Sequence, residues 1–198
     1  PGDLALLHDI CGAGGPLWVR VLLWDMAGNT ARELGRIQGV PGSLQFSPDG
    51  RYAALQTLES VVLFPVEGGA PIALDVKPNA MAISPHDGGI FTTHQDGILR
   101  KWDLSGHLLR TLPEGMGWGT GLAFDASGRR LFARYARAPP RLWEPEGDEA
   151  LPRSDTGFLR GRVYRLLVSR DGSRRVVFSD SSPPVLAREF SDRGLLRR

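Results

Sequence analysis

The sequence predicts an all-β fold assembled from a repeated unit of about 40 residues. Its apolar runs are short, rich in β-branched and aromatic residues, and bounded by Gly, Pro, Asp and Ser. No stretch of a dozen residues keeps a helical period of apolar side chains. The 25 glycines and 15 prolines among 198 residues are typical of many turns, and the length suits one domain with its own core.

The first recurring phrase is an alternating apolar stretch that ends in an aromatic residue and a turn. Its clearest copy is ILRKWDLSG at residues 98–106, and weaker copies are VRVLLWDMAG, SVVLFPVEG, PRLWEPEG and VLAREFSDRG. Because the copies recur regularly, each is predicted to form the third strand of a repeated sheet, with its aromatic ring packed between neighbouring sheets. The aromatic positions, separated by 40, 38, 41 and 47 residues, are Trp24, Phe64, Trp102, Trp143 and Phe190.

A second phrase, a polar turn closed by glycine between two apolar runs, keeps step with the first. It occurs as QFSPDGRYAAL, AISPHDGGIF, AFDASGRRLF and LVSRDGSRRVVF. Its glycines, at spacings of 38, 40 and 44 residues, are Gly50, Gly88, Gly128 and Gly172. Over residues 80–112 the two phrases outline four short strands in succession. Four strands in about 40 residues are typical of a propeller blade.

We therefore predict a β-propeller of about five four-stranded antiparallel blades, as part of a larger or incomplete ring. Because the opening PGDLALLHD resembles the end of the second phrase followed by a second strand, the first blade is predicted to lack its first strand. A chain with open blade edges is expected to self-associate through them. The blades of this single domain, residues 1–198, are predicted at 1–40, 41–77, 78–116, 117–160 and 161–198.

The repeats resemble those of the WD-repeat β-propeller family, in a degenerate, bacterial-type form, over almost the whole chain. Blade three matches best, with its SPHDG turn, Asp96 and the Trp-Asp pair at 102–103, and the pairs at 24–25 and 143–144 match in part. The family's Gly-His dipeptide is absent from every blade, so its hydrogen-bonded network of Asp, His, Ser/Thr and Trp is not expected to be complete. Asp96 is expected to shape its turn. The resemblance implies the fold, in most members with more than five blades, and leaves the function open.

The sequence predicts no catalytic, metal-binding or cofactor-binding site. GMGWGTG at residues 115–121 departs from the phosphate-binding pattern G-x-G-x-x-G and leads into a strand rather than a helix. The 4 histidines lack metal-ligand spacing, and no G-x-S-x-G nucleophile motif occurs. The lone Cys11 excludes an internal disulfide and a cysteine-based zinc site, and favours a reducing compartment. These patterns indicate a cytoplasmic protein that is not an enzyme and takes no cofactor.

The charged residues are distributed unevenly along the chain, and this leaves alternative functions open. Residues 1–128 carry 8 Lys and Arg against 13 Asp and Glu, a net charge of −5, whereas residues 129–198 carry 16 Arg against 9 acidic residues, a net charge of +7. One alternative is therefore a nucleic-acid-binding propeller that uses its Arg-rich C-terminal blades. A propeller hydrolase or lyase is a further alternative, and it would need a polar cluster at the central channel that we cannot assemble from the sequence.

The main prediction is a non-catalytic protein-interaction or scaffold propeller, a module of a larger bacterial signalling or regulatory protein. No apolar run approaches the roughly 18–20 residues that span a bilayer, so no membrane contact is predicted. In a propeller, the loops between successive blades share one face with the loops between second and third strands. That face is predicted to bind a protein partner through Lys77, Asn79, Met116, Trp118, Tyr135, Arg137, Phe158, Arg160 and Arg162.

Trp118 is the most distinctive of these predicted contact residues. It lies outside the repeated aromatic position and is flanked by glycines, so it is better placed for an interface than for a core. We predict that Met116, Arg160 and Arg162 lie with it on one face, close enough for a single partner. The glycine-rich loop DICGAGGP at residues 9–16 is predicted to reach the same face.

Overall fold

The structure is a computed structural model, and every element it describes is a β-strand. The prediction of an all-β chain is thereby confirmed. It describes residues 4–11, 17–112, 117–125, 128–136, 138, 141–146, 163–168, 175–179, 185–191 and 194–197, with side chains for the part of this between residues 17 and 146.

The described strands form five antiparallel sheets, and each sheet takes only strands adjacent in sequence. The strands of sheets one to five, in order, are β1 (Leu4–Cys11), β2 (Trp18–Asp25) and β3 (Thr30–Gln38); β4 (Pro41–Phe46), β5 (Tyr52–Thr57), β6 (Val61–Pro65) and β7 (Ile72–Leu74); β8 (Ala80–Ile83), β9 (Ile90–Thr93), β10 (Leu99–Trp102) and β11 (Leu108–Leu112); β12 (Gly119–Phe124), β13 (Leu131–Tyr135) and β14 (Arg141–Trp143); β15 (Val163–Val168), β16 (Arg175–Ser179), β17 (Val185–Ser191) and β18 (Gly194–Arg197). Sheets one and four therefore have three strands within the described residues, and the others have four.

The recurring aromatic residue takes the same place in successive sheets. Phe64, Trp102 and Trp143 lie on the third strand of sheets two, three and four, and all three side chains are buried. Trp24 lies on β2, the second described strand of sheet one, and is half-buried. A lone sheet leaves an apolar face open to water, so an aromatic ring at this place must find its contacts on a neighbouring sheet.

Three apolar clusters fill the spaces between neighbouring sheets. Phe64 packs with Val19 and Val21 across sheets one and two, and Trp102 packs with Leu63 across sheets two and three. Trp143 packs with Phe91 across sheets three and four. The predicted packing of the ring between adjacent sheets is confirmed at these three positions.

The second phrase forms the hairpin turn between the first two strands of a sheet. In sheet two, the Ser47 hydroxyl donates to Asp49 Oδ1 at 2.6 Å and accepts from the Tyr52 amide at 2.9 Å. The turn also needs a left-handed residue, and Gly50, with φ of 71°, supplies it. The equivalent turns of sheets three and four place glycines at φ of 74° and 69°. A repeated sequence therefore produces a repeated turn.

The first described strands of successive sheets contact one another. β1 contacts β4, β4 contacts β8, β8 contacts β12, and β12 contacts β15. The later strands of each sheet lie progressively further from this line of contacts, because each sheet follows its sequence order outward. The five sheets are thus joined along their first described strands, and sheets one to four also pack through apolar side chains.

Candidate protein-binding face

Alternate connections of an antiparallel sheet lie at the same end, because each strand reverses the direction of the one before it. The connections between sheets and the turns after β1, β5, β9 and β13 therefore share one end of the molecule. We call this end the upper face. Within the described residues it consists of the segments 17–18, 39–40, 58–60, 75–79, 94–98 and 117–118 and of residues 136 and 138.

Backbone hydrogen bonds join neighbouring segments of the upper face. Four of them run between an inter-sheet connection and a turn or strand end beside it, and one runs from the first residue of β12 to the turn after β9, so the segments are held in fixed relation to one another. The bonds run from Gly39 N to Leu17 O at 3.0 Å, from Leu58 N to Val40 O at 3.3 Å, from Asn79 N to Thr93 O at 2.8 Å, from Gly119 N to His94 O at 3.1 Å and from Ala136 N to Trp118 O at 2.8 Å.

Side chains complete this path at the junction of sheets two and three. Lys77 Nζ lies 2.8 Å from Glu59 Oε2 and so links the connection to the β5–β6 turn. His94 Nδ1 lies 3.0 Å from Lys77 O and links the same connection to the turn after β9. The upper face is therefore continuous from segment 17–18 to residue 136.

The upper face collects exposed apolar side chains. Trp118 is 59% exposed and Leu58 is 61% exposed, although water disfavours both. Five of the eight large hydrophobic side chains that are exposed among the described residues belong to this face, namely Leu17, Trp18, Val40, Leu58 and Trp118. An accumulation of apolar surface on one face is typical of a site that contacts another protein.

A groove of about 680 Å³ opens on the upper face between sheets two and three. Glu59, Lys77 and Asp96 supply its charged groups. A smaller pocket of about 260 Å³ adjoins it and adds Asp75 and Arg100. The lining of the larger groove is Leu58, Glu59, Lys77, Pro78, Asn79, His94, Gln95 and Asp96.

A buried chain of hydrogen bonds supports the groove from below. Trp102 Nε1 donates to Thr92 Oγ1 at 2.9 Å, and Thr92 Oγ1 lies 2.9 Å from His94 Nε2. The carbonyl of Lys77 can only accept, so His94 carries its proton on Nδ1 and donates it there. Nε2 then accepts from the Thr92 hydroxyl. In this one tautomer, each of the side-chain polar groups in the hydrogen-bond chain from Trp102 to His94 has a partner.

The environment of His94 keeps its imidazole neutral. Burial lowers the pKa of His94 below its ordinary 6.5, and the nearby Arg100 guanidinium lowers it further. The hydrogen bond to Lys77 O and the Asp96 carboxylate act in the opposite direction and are weaker. A neutral ring at neutral pH matches the donor and acceptor pattern of the buried chain.

The turn that holds His94 is fixed by the residue predicted to shape it. Asp96 Oδ1 accepts from the Ile98 amide at 2.9 Å, so this prediction is confirmed. Asp96 Oδ2 also lies 2.8 Å from Arg100 Nη2. The spacing of the histidines predicted no metal site and gave no reason to place His94 on the binding face. Its place directly after the second strand of a repeat was the available signal.

The predicted contact residues have different outcomes. Lys77, Asn79 and Trp118 belong to the upper face. Tyr135 was predicted to lie on the surface, and this prediction is wrong. It is the last residue of β13, where it pairs with Gly119, and its side chain is 4% exposed within the apolar cluster of sheets three and four. The other predicted contact residues lie outside the described residues, namely Met116, Arg137, Phe158, Arg160 and Arg162. The predicted proximity of Met116, Arg160 and Arg162 to Trp118 therefore stays a prediction.

The opposite end of sheets three and four holds a buried lysine. Lys101 Nζ lies 2.8 Å from Asp87 Oδ2 and 2.7 Å from Glu146 Oε1. Burial alone raises the pKa of Asp87, but hydrogen bonds from Lys101, Ser84 and the Gly89 amide outweigh it and lower that pKa to about 2. Such a cluster joins the two sheets through ion pairs.

Within the described ranges, no three His, Cys, Asp or Glu side chains are grouped so that they could hold a metal ion. The same part of the chain contains no helix that could span a membrane. No protein-family model matches the sequence, and no curated protein matches it either.

Proposed function

We propose that the chain is a non-catalytic protein-interaction module and that it contacts its partner through the upper face. One observation carries this proposal, namely the concentration of exposed apolar side chains on that face. Trp118 is of a residue type that contributes most to protein interfaces, and Leu58 adds exposed apolar surface; backbone hydrogen bonds hold both residues in place. The scaffold role, the bacterial signalling context and the cytoplasmic location remain predictions.

We propose further that the five sheets are blades of a β-propeller of the WD-repeat type. Three features support this arrangement: the contacts between successive first strands, the aromatic rings packed between sheets, and the chain from Trp102 through Thr92 to His94. That chain uses residue types of the network expected of the family, although its histidine comes from the turn after β9. The nucleic-acid alternative also stays a prediction, to be tested by salt-dependent binding to DNA or RNA.

Paired surface variants test the binding proposal. Trp118→Ser and Leu58→Ser remove apolar surface from the upper face, whereas Met26→Ser and Leu108→Ser remove similarly exposed apolar side chains from elsewhere. Each variant is immobilised and exposed to lysate of the source organism, and captured proteins are quantified by mass spectrometry. Circular dichroism and unfolding curves establish that all four variants keep the native fold.

The proposal predicts that a defined set of captured proteins decreases at least about tenfold with the upper-face variants, as expected for the loss of an interface anchor. The same proteins should be retained by the Met26 and Leu108 variants. Equal capture by all four variants, or selective loss with the Met26 and Leu108 variants, would refute the assignment of the upper face.

A further inference from the structure

The groove of the upper face carries more carboxylates than cations. Glu59, Asp75 and Asp96 line it or its adjoining pocket, together with Lys77 and Arg100. Lys77 pairs with Glu59, and Arg100 pairs with Asp96. The carboxylate of Asp75 makes neither an ion pair nor a hydrogen bond with any described residue. The adjoining pocket therefore holds one carboxylate, that of Asp75, that is not paired with a cation.

The ion pair between Lys77 and Glu59 is open to exchange. Their side chains are 78% and 65% exposed, so water and salt screen the attraction between them. A cation brought by a partner can take the place of Lys77 at Glu59 with little loss.

The groove also offers unpaired amide groups. The side chains of Asn79 and Gln95 line it, and neither makes a hydrogen bond with the described residues. Each amide presents a donor and an acceptor, which match the N–H and C=O groups of an extended peptide backbone. Leu58, at the same groove, offers apolar surface beside them.

We propose that this groove binds an extended segment of a protein partner that carries a Lys or Arg side chain next to an apolar side chain. The cation faces Asp75 and the carboxylate of Glu59, the apolar side chain covers Leu58, and the amides of Asn79 and Gln95 bind the backbone. This inference rests on the proposed function, because it assigns the partner chemistry of the same face.

Peptide binding to the full chain tests the inference. Three fluorescent peptides of equal length alternate Leu with Lys, with Gln or with Glu, and fluorescence anisotropy gives their dissociation constants at low and high salt. The Lys peptide should bind about tenfold more tightly than the Gln peptide at low salt, and high salt should remove this preference. The Glu peptide should bind most weakly.

Single substitutions separate local charge from overall charge. Asp75→Asn should weaken binding of the Lys peptide about threefold, whereas Lys77→Gln should strengthen it by a similar factor. Glu67→Gln is the matched control, because Glu67 is exposed in the turn after β6, at the other end of sheet two. It removes the same charge as Asp75→Asn and should leave the affinity unchanged.

Several results would overturn the inference. It fails if no peptide binds, if the Gln or Glu peptide binds as tightly as the Lys peptide, or if Asp75→Asn and Glu67→Gln have equal affinities. If Leu58→Ser weakens all three peptides alike and the charge variants have no effect, the inference fails while the proposed function stands. The proposed function is tested separately, by the capture of proteins with the Trp118, Leu58, Met26 and Leu108 variants.

Discussion

Replacing Thr92 with valine removes the hydroxyl at the centre of the buried hydrogen-bond chain and preserves the shape of the side chain. Trp102 Nε1 then loses its acceptor, and His94 Nε2 loses its donor. A buried polar group left without a partner costs about 1–3 kcal/mol. Both side chains are buried but not completely so, which favours the lower part of that range for each. We therefore expect Thr92→Val to lower the free energy of unfolding by about 2–4 kcal/mol.

The neighbouring threonine provides a matched control. Thr93 is fully buried, and its hydroxyl has no hydrogen-bond partner among the described residues. Thr93→Val removes the same atom from the same strand without breaking a bond, so the free energy of unfolding should stay within about 0.5 kcal/mol of wild type or increase. Urea unfolding at pH 7.5, followed by tryptophan fluorescence, measures both variants. Equal losses in the two variants, or a smaller loss for Thr92→Val, would refute the hydrogen-bond chain.

Three further perturbations test the packing and the electrostatics. Because burial lowers the pKa of His94, the unfolded chain binds a proton at this residue before the folded chain does as the pH falls below about 6.5. Protonation therefore favours unfolding. The stability advantage of wild type over His94→Gln should shrink between pH 7.5 and 5.5 in parallel urea titrations. Gly119→Ala would place a Cβ 2.3 Å from Thr93 Cβ, so the free energy of unfolding should fall by about 1–3 kcal/mol. Thermal unfolding measures this effect. An unchanged melting temperature would show that sheets three and four are not in contact here. Trp143 Nε1 has no hydrogen-bond partner among the described residues, and Ala133 occupies the place that Thr92 occupies for Trp102. Ala133→Ser should therefore supply an acceptor and stabilise the protein by about 0.5–1.5 kcal/mol, and a destabilised variant would contradict this equivalence.

The repeated elements could be predicted from the sequence because they depend on local patterns. The polar turn around Gly50 and the aromatic position of Trp102 each follow from short-range chemistry that recurs with a fixed period. The all-β class and the packing of Phe64, Trp102 and Trp143 between sheets follow from the same pattern. The exposure of Trp118 was also expected from its place outside the repeat.

The remaining features depend on contacts between residues that are distant in sequence. His94 bonds to the carbonyl of Lys77, 17 residues away, and the local sequence around neither residue predicts that bond. Tyr135 was predicted to lie in a loop of the binding face, at the start of the segment YARAPP. Its pairing with Gly119 extends β13 by one residue and turns the ring into the core. The groove likewise exists only because sheets two and three pack against each other.

Photochemical cross-linking in living cells tests the central claim most directly. A photoreactive benzoylphenylalanine replaces Trp118 on the upper face in one variant and Met26, which is exposed elsewhere, in the other. Irradiation should join the variant at position 118 to a distinct partner protein and leave the variant at position 26 unlinked. Cross-linking at position 26 alone, or at neither position, would contradict the assignment of the upper face as the protein-binding surface.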